Sequence, residues 1–189
     1  TYYAVSSAYL GYNVYFAWGP LPERFWQGNW QVDQVIQTGY LWGHNYLESC
    51  EQKAALMPKI LGEFGDHPRV VSLFDERPHR DVYQSNQMIF DFYKIGVRLI
   101  ESNPNTIVIA KPKATSGIPD IPEIFDLIAP YVESGKMRIL DQRKADIWEI
   151  LSVSDAAISL VMGTPFLEAM CCGLPGFSYA PTKNESSPI

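Results

Sequence analysis

The alternation of short apolar runs with helical segments from residue 69 onward most constrains how this chain can fold. The runs at 69–74, 106–111, 137–140, 156–161 and 176–180 are short and apolar, as strands are. Apolar spacing of three and four predicts helices at 81–102, 121–134 and 144–154, with a short helix from Pro165. Apolar strands separated by helices are typical of a parallel sheet covered on both faces. We therefore expect an α/β fold, a Rossmann-like parallel sheet with helices on both faces.

The segment before residue 69 has a different pattern. Residues 31–39 alternate apolar and polar and predict a strand that ends at Gly39, and residues 46–62 have helical spacing interrupted by Pro58. Residues 1–22 carry no charge, but five tyrosines and several small polar residues make them a poor membrane span. We expect them to be buried between domains, with a surface that rests on a membrane as the alternative.

Composition excludes several classes of protein. The 189 residues have a formal net charge of −6, which argues against general nucleic-acid binding, because that needs a basic face. Three cysteines do not make a disulfide framework, which favours a reducing, cytoplasmic location. Three scattered histidines predict no metal site. No strand is followed by a dinucleotide fingerprint or a P-loop.

The turn before the last helix is the best candidate for a ligand site. Thr164 is a plausible N-cap and Pro165 the first helical residue, so the amides of residues 164–167 would face an anion such as a phosphate. Gly163 would let that anion approach the backbone. Glu168, one turn later, could accept hydrogen bonds from two ribose hydroxyls. The alternative is that Glu168 only complements the helix dipole.

Basic residues follow two other strands. Lys111 ends the run at 106–111 and Lys113 lies two residues beyond it, where both could contact phosphate or merely solvate a loop. Arg77 and Arg80 follow the run at 69–74 and could bind phosphate or form surface ion pairs. The candidate partners for such pairs are Asp75, Glu76 and Asp81. Cys171 and Cys172 are expected to pack in the core rather than act as nucleophiles.

The stretch "SDAAISLVMGTPFLEAMCCGLPGFSYAP" (154–181) resembles the nucleotide-binding half of glycosyltransferases with two Rossmann domains, the GT-B class. In that family an acidic residue precedes a strand, followed by a Gly/Ser/Thr-rich turn, then Glu-Ala-Met and Gly-x-Pro. Asp155, Gly163-Thr164, 168–170 and 173–175 occupy those places here. "MRILDQRKADIWEILSVSD" (137–155) is similar to the segment in which a strand and loop meet the base, which implies a base contact near Leu140.

The resemblance covers about residues 69–181 and implies a division of the chain. Residues 31–42 look like the last strand of the family's first domain and the start of the linker. We therefore expect 1–45 to be the end of a first domain with its linker, and 46–189 the nucleotide-sugar-binding domain, one half of a GT-B architecture. Because the family's catalytic base usually lies in the first domain, no catalytic residue is assigned, and we expect an incomplete enzyme.

Two positions depart from the family pattern. Leu160 stands where retaining members often carry a second Glu, and Lys113 stands where polymer-forming relatives often have a histidine. Lysine can contact an anion but is not an acid or base poised near neutral pH.

The resemblance implies a glycosyltransferase that transfers sugar from a nucleotide-sugar to a glycan or lipid-linked acceptor in surface polysaccharide synthesis. The enzyme would act in the cytoplasm, with peripheral contact at the inner face of the plasma membrane left open, and would need no cofactor besides its donor substrate. A nucleotide-sugar 2-epimerase is one alternative. A non-catalytic α/β module that binds a nucleotide or a protein is the other.

Overall fold

The computed structural model describes residues 10–19, 30–62, 68–76, 85–113, 121–140 and 145–180. They belong to two units, Thr1–His44 with Lys183–Ile189, and Asn45–Thr182. Within the described residues, no helix is both long and apolar enough to cross a membrane.

The first unit contains two parallel strands, β1 (Leu10–Ala17) and β2 (Trp30–Gln37), paired from Leu10 opposite Trp30. The strand predicted at 31–39 is thus present but ends two residues earlier. Trp18 follows β1 and Tyr40 follows β2, and their rings meet edge to face with the centroids 4.8 Å apart. Within β1, Tyr12, Val14 and Phe16 are exposed and Ala17 is buried. Whether residues 1–22 form a domain interface or a membrane surface stays a prediction.

Two helices, α1 (Gly43–Glu51) and α2 (Lys53–Leu61), precede the main sheet. The predicted interruption at Pro58 was wrong. The helical conformation is interrupted instead at Gln52 (φ −93°, ψ 4°), between α1 and α2, and Pro58 lies inside α2. A proline within a helix removes one backbone hydrogen bond. Burial of the α2 side chains Leu56, Ile60 and Leu61 offsets that loss.

The main sheet has five parallel strands. They are β3 (Arg69–Phe74), β4 (Thr106–Lys111), β5 (Met137–Ile139), β6 (Ala156–Leu160) and β7 (Gly176–Tyr179). Their order across the sheet is β5-β4-β3-β6-β7, so the first of the five is central. The chain moves outward from β3 to β4 and β5, then returns to the other side of β3 with β6 and β7. This is a Rossmann-like arrangement, and the predicted fold class is confirmed.

Helices cover both faces of this sheet. On one face, α3 (Asn86–Ser102) and α4 (Pro122–Glu133) pack on Leu73, Val108 and Ala110. On the other, α2, α5 (Ile147–Val153) and α6 (Thr164–Cys171) pack on Phe74, Ile107 and Ile109. The alternation along β4 follows from the two-residue period of a strand, which sends successive side chains to opposite faces.

Two helices begin later than the sequence predicted, for reasons of capping. The side chain of Ser85 accepts a hydrogen bond from the Met88 amide at 3.2 Å, so α3 begins at Asn86; residues 81–84 lie outside the described residues. Asp146 precedes α5, and its amide donates to the Glu149 carboxylate at 3.0 Å. Such contacts between a cap residue and the first turn set a helix start more sharply than apolar spacing does.

Candidate functional site

The carboxyl ends of β3, β4 and β6 meet at the centre of the sheet, where ligands bind in open parallel sheets. There β3 is followed by Asp75 and Glu76, and β4 ends at Lys111 and is followed by Pro112 and Lys113. The connections from β3 and β6 leave toward opposite faces, so a crevice is expected between these two strand ends.

Asp75 is a buried carboxylate at this edge, 6% exposed. Its Oδ2 accepts a hydrogen bond from the Tyr93 hydroxyl at 2.7 Å, and its Oδ1 accepts one from the Lys113 amide at 2.6 Å. Burial raises the pKa of Asp75 to about 6, against the opposing effect of these two donors. Burial also raises the pKa of Tyr93, and the negative charge of Asp75 is the second cause of this rise.

Glu76, the next residue, forms an ion pair with the Lys113 ammonium. The other oxygen of Glu76, Oε1, lies 3.5 Å from the place that a Cβ on Gly163 would take. Ser159 Oγ lies 3.7 Å from the same point. Glu76 therefore lies between two residues of the predicted site, because it contacts the Lys113 ammonium and faces the Gly163 turn.

The start of α6 differs from the prediction by one residue. Gly163 is the N-cap, Thr164 the first helical residue and Pro165 the second, so the assignment of Thr164 as N-cap was wrong. Proline has no N–H, and the Leu167 amide already donates to the Gly163 carbonyl at 3.4 Å. The first turn thus offers the amides of Thr164 and Phe166, which helix geometry leaves without an intrahelical acceptor.

Val161, between β6 and this turn, has φ +61°. A β-branched residue rarely adopts the left-handed region, which costs about 1–3 kcal/mol. The Val161 amide donates to the Tyr179 carbonyl at 2.9 Å, and the Gly163 amide donates to the Val161 carbonyl at 2.9 Å. These bonds hold the turn in a conformation that valine alone would avoid.

Glu168 is the fifth residue of α6 and is 8% exposed. It lies beyond the first turn, where the effect of a helix dipole has declined, so dipole complementarity explains it poorly. Burial raises the pKa of Cys171 and of Cys172, and the negative charge of Glu168 is a further cause of both rises.

Cys172 follows α6 and packs against the α2–α5–α6 core, whereas Cys171 is exposed. Burial raises the pKa of Cys172 to about 12, with Cys171 and Glu168 as further causes. A thiol with a raised pKa is rarely a thiolate at neutral pH, so neither cysteine is poised as a nucleophile.

Two other predicted residues, Lys111 and Leu140, have partners in other parts of the second unit. The Lys111 ammonium donates to the Ala145 carbonyl at 2.8 Å, which directs it toward the segment before α5. The Leu140 amide donates to the Ala110 carbonyl at 2.9 Å, and its side chain packs against the α2–α5–α6 core. Arg77 lies outside the described residues, and so does Arg80.

Sequence reasoning assigned Asp75 and Glu76 only as ion-pair partners for nearby arginines, and it missed Tyr93. The available signal was a pair of carboxylates directly after a buried strand in a parallel sheet. In the part of the chain described here, no group of three or more His, Cys, Asp or Glu residues could hold a metal ion.

No model of a known protein family matches the chain, and no curated protein matches it.

Proposed function

We propose that the second unit is the nucleotide-sugar-binding half of a GT-B type glycosyltransferase. The enzyme would transfer a sugar to a glycan or lipid-linked acceptor during surface polysaccharide synthesis. The Rossmann-like strand order, with its ligand crevice expected beside β3, supports a nucleotide site. The GT-B class in particular is supported by the order of four features along the chain: Asp155, the Gly163 turn, Glu168 and the Gly173 turn.

The observation that carries the proposal is the approach of Lys113 to the Gly163 turn through Glu76. A diphosphate over this turn would accept hydrogen bonds from the Thr164 and Phe166 amides and would lie close to the Lys113 ammonium. Such donors bind the phosphates of many nucleotides without any metal ligand from the protein.

Gly163 itself supports a ligand at this position. Its φ of −101° is open to any residue, and a Cβ there would meet its neighbours at 3.5–3.7 Å, an ordinary contact distance. The fold of the chain therefore does not require glycine at this turn. Close approach of a ligand to the backbone is a physical reason for its presence.

Two further groups complete the proposed binding mode. Glu168, behind the turn, would accept hydrogen bonds from the ribose hydroxyls. Leu140, at the end of β5, would lie beside the base. Lys111, which is bonded to the Ala145 carbonyl, would stabilise the segment before α5 rather than contact phosphate.

A titration of the chain with nucleosides and their diphosphates tests the proposal. Calorimetry with UDP, GDP, CDP and ADP should show that one diphosphate binds more tightly than its nucleoside by about 1–3 kcal/mol, the scale of charge-assisted hydrogen bonds. Lys113→Met should reduce this preference. Lys59→Met is the matched control, because Lys59 is equally exposed (52% against 54%) and is paired with Glu149 instead.

A non-catalytic α/β module is the second candidate. It is favoured by the internal pairing of Lys113 with Glu76 and of Lys111 with the Ala145 carbonyl, which leaves both ammonium groups engaged within the chain. Equal affinity for nucleoside and diphosphate across the four bases would favour this module over the glycosyltransferase.

A further inference from the structure

Asp75 connects three separate elements at the carboxyl edge of the sheet. It follows β3, it accepts a hydrogen bond from Tyr93 of α3, and it accepts another from the amide of Lys113 after β4. Because β3 and β4 are paired with Phe74 opposite Lys111, the chain of β4 passes directly beside Asp75. One carboxylate thus ties the segment after β4 to the core.

Both donors hold Asp75 in one orientation. Tyr93 is 1% exposed and packs in the α3–α4 core, so its hydroxyl is a fixed point. The Tyr93 hydroxyl occupies Oδ2, which leaves Oδ1 directed at the Lys113 amide. Hydrogen bonds to an ionised acceptor are stronger than neutral ones, and burial strengthens them further.

The position of the Lys113 backbone determines where its ammonium can reach. That ammonium pairs with Glu76, whose second oxygen lies beside the Gly163 turn. The contact with Asp75 holds the Lys113 amide nitrogen 2.6 Å from the Asp75 Oδ1 atom.

We propose that Asp75, oriented by Tyr93, is a positioning residue that fixes Lys113 for contact with the phosphates of the ligand. This inference rests on the proposed nucleotide site and deepens it. Asp75 itself does not touch the ligand. It acts through the backbone of Lys113, so its loss should weaken phosphate binding selectively.

Two variants test the inference. Asp75→Asn keeps the size of the side chain but removes the charge and one acceptor oxygen. Tyr93→Phe keeps the packed ring and removes only the hydroxyl, so this variant tests the same contact if Asp75→Asn does not fold. Ser154→Ala is the matched control, because Ser154 is also buried and donates to the Ile150 carbonyl at 2.7 Å, but it precedes β6 at the opposite edge of the sheet.

The measurement is the affinity of each variant for the tightest-binding diphosphate and for its nucleoside. We expect Asp75→Asn to weaken diphosphate binding about tenfold, the effect of one charge-assisted contact, with nucleoside binding unchanged. Tyr93→Phe should act in the same direction and more weakly, and Ser154→Ala should change neither affinity. A purely structural role would weaken both ligands equally and would overturn the inference.

Amide hydrogen exchange of Lys113 provides a readout without ligand. Exchange should accelerate in Asp75→Asn and stay unchanged in Ser154→Ala. If Asp75→Asn retains the full diphosphate preference, the positioning role is wrong while the nucleotide site stands. If the wild type has no diphosphate preference, the proposed function fails, and this role fails with it even where the exchange rate changes.

Discussion

Glu76 and Lys113 form an ion pair across the ends of β3 and β4, with Glu76 facing the Gly163 turn. A carboxylate thus lies close to where the proposed function would put a phosphate. Both groups are negatively charged and both would interact with the same ammonium. A bound diphosphate should therefore compete with Glu76 for Lys113.

Replacement of Glu76 by glutamine should strengthen diphosphate binding. The substitution removes the competing charge and leaves Lys113 available, so we expect affinity to rise about two- to fivefold, the scale of a partly exposed ion pair. Calorimetry against the diphosphate measures it. Glu101→Gln is the control, because it changes net charge equally at the far end of α3, where Glu101 accepts a hydrogen bond from Tyr131 at 2.7 Å. Weaker binding in Glu76→Gln would mean that Glu76 itself contacts the ligand.

Alanine at Gly163 should separate folding from binding. The Cβ would have ordinary contacts within the chain, so the free energy of unfolding should change by about 1 kcal/mol or less, the cost of alanine at an N-cap. A phosphate over the backbone would meet that Cβ, and diphosphate affinity should fall about tenfold or more. Thermal unfolding and calorimetry on the same preparation give both values. Unchanged affinity would remove the turn from the proposed site.

Strands and helices of the second unit were largely predictable, because apolar periodicity is a local property. The run at 106–111 is a strand with the predicted bounds, Thr106–Lys111. The start of α6 was misplaced by one residue because Gly163, which has no capping side chain, takes the extended backbone of the N-cap (φ −101°, ψ −179°) in place of Thr164.

The candidate site was predictable only in part, because its contacts join distant residues. Tyr93 and Lys113 both donate a hydrogen bond to Asp75, from 18 and 38 residues further along the chain. Neither pair has a sequence signature. Lys111 and Lys113 looked equivalent in sequence. They have different partners because Lys111 still belongs to β4 and Lys113 lies beyond it.

Glu168→Gln tests the proposed ribose contact. If the carboxylate accepts hydrogen bonds from both ribose hydroxyls, ribonucleotide affinity should fall about 10- to 100-fold. The 2′-deoxy ligand, which lacks one of these partners, should lose less, so the two changes should not be additive. A fall in the melting temperature with unchanged ribonucleotide affinity would make Glu168 a structural residue only.

Asp75 should make stability depend on pH in an unusual direction. Its pKa rises from 3.8 unfolded to about 6 folded because of burial, so the folded state binds the proton more tightly. Its contribution to stability is present below pH 4 and is lost as pH rises through 6, a change of at most about 3 kcal/mol. Tyr93, Lys113 and Glu76 are the titratable groups that face it.

Urea unfolding of the wild type and of Asp75→Asn between pH 4 and 7 isolates this effect. The difference in the free energy of unfolding, wild type minus variant, should decrease with rising pH, since asparagine does not titrate. Parallel pH profiles for the two proteins would show that Asp75 has an ordinary pKa in the folded state.

Asp155 should contribute to folding and not to ligand binding. It precedes β6 at the amino edge of the sheet, opposite the proposed site. Its Oδ2 accepts a hydrogen bond from the Val70 amide at 2.7 Å, and its own amide donates to the Val70 carbonyl at 2.8 Å, so it joins the starts of β3 and β6. Asp155→Ala leaves the Val70 amide without this acceptor, and the free energy of unfolding should fall by about 1–2 kcal/mol. Asp155→Asn keeps one oxygen and should lose less.

Diphosphate affinity, measured by calorimetry well below the melting temperature, should equal that of the wild type in both variants. A selective loss of affinity in Asp155→Ala would mean that this end of the sheet also acts on the ligand.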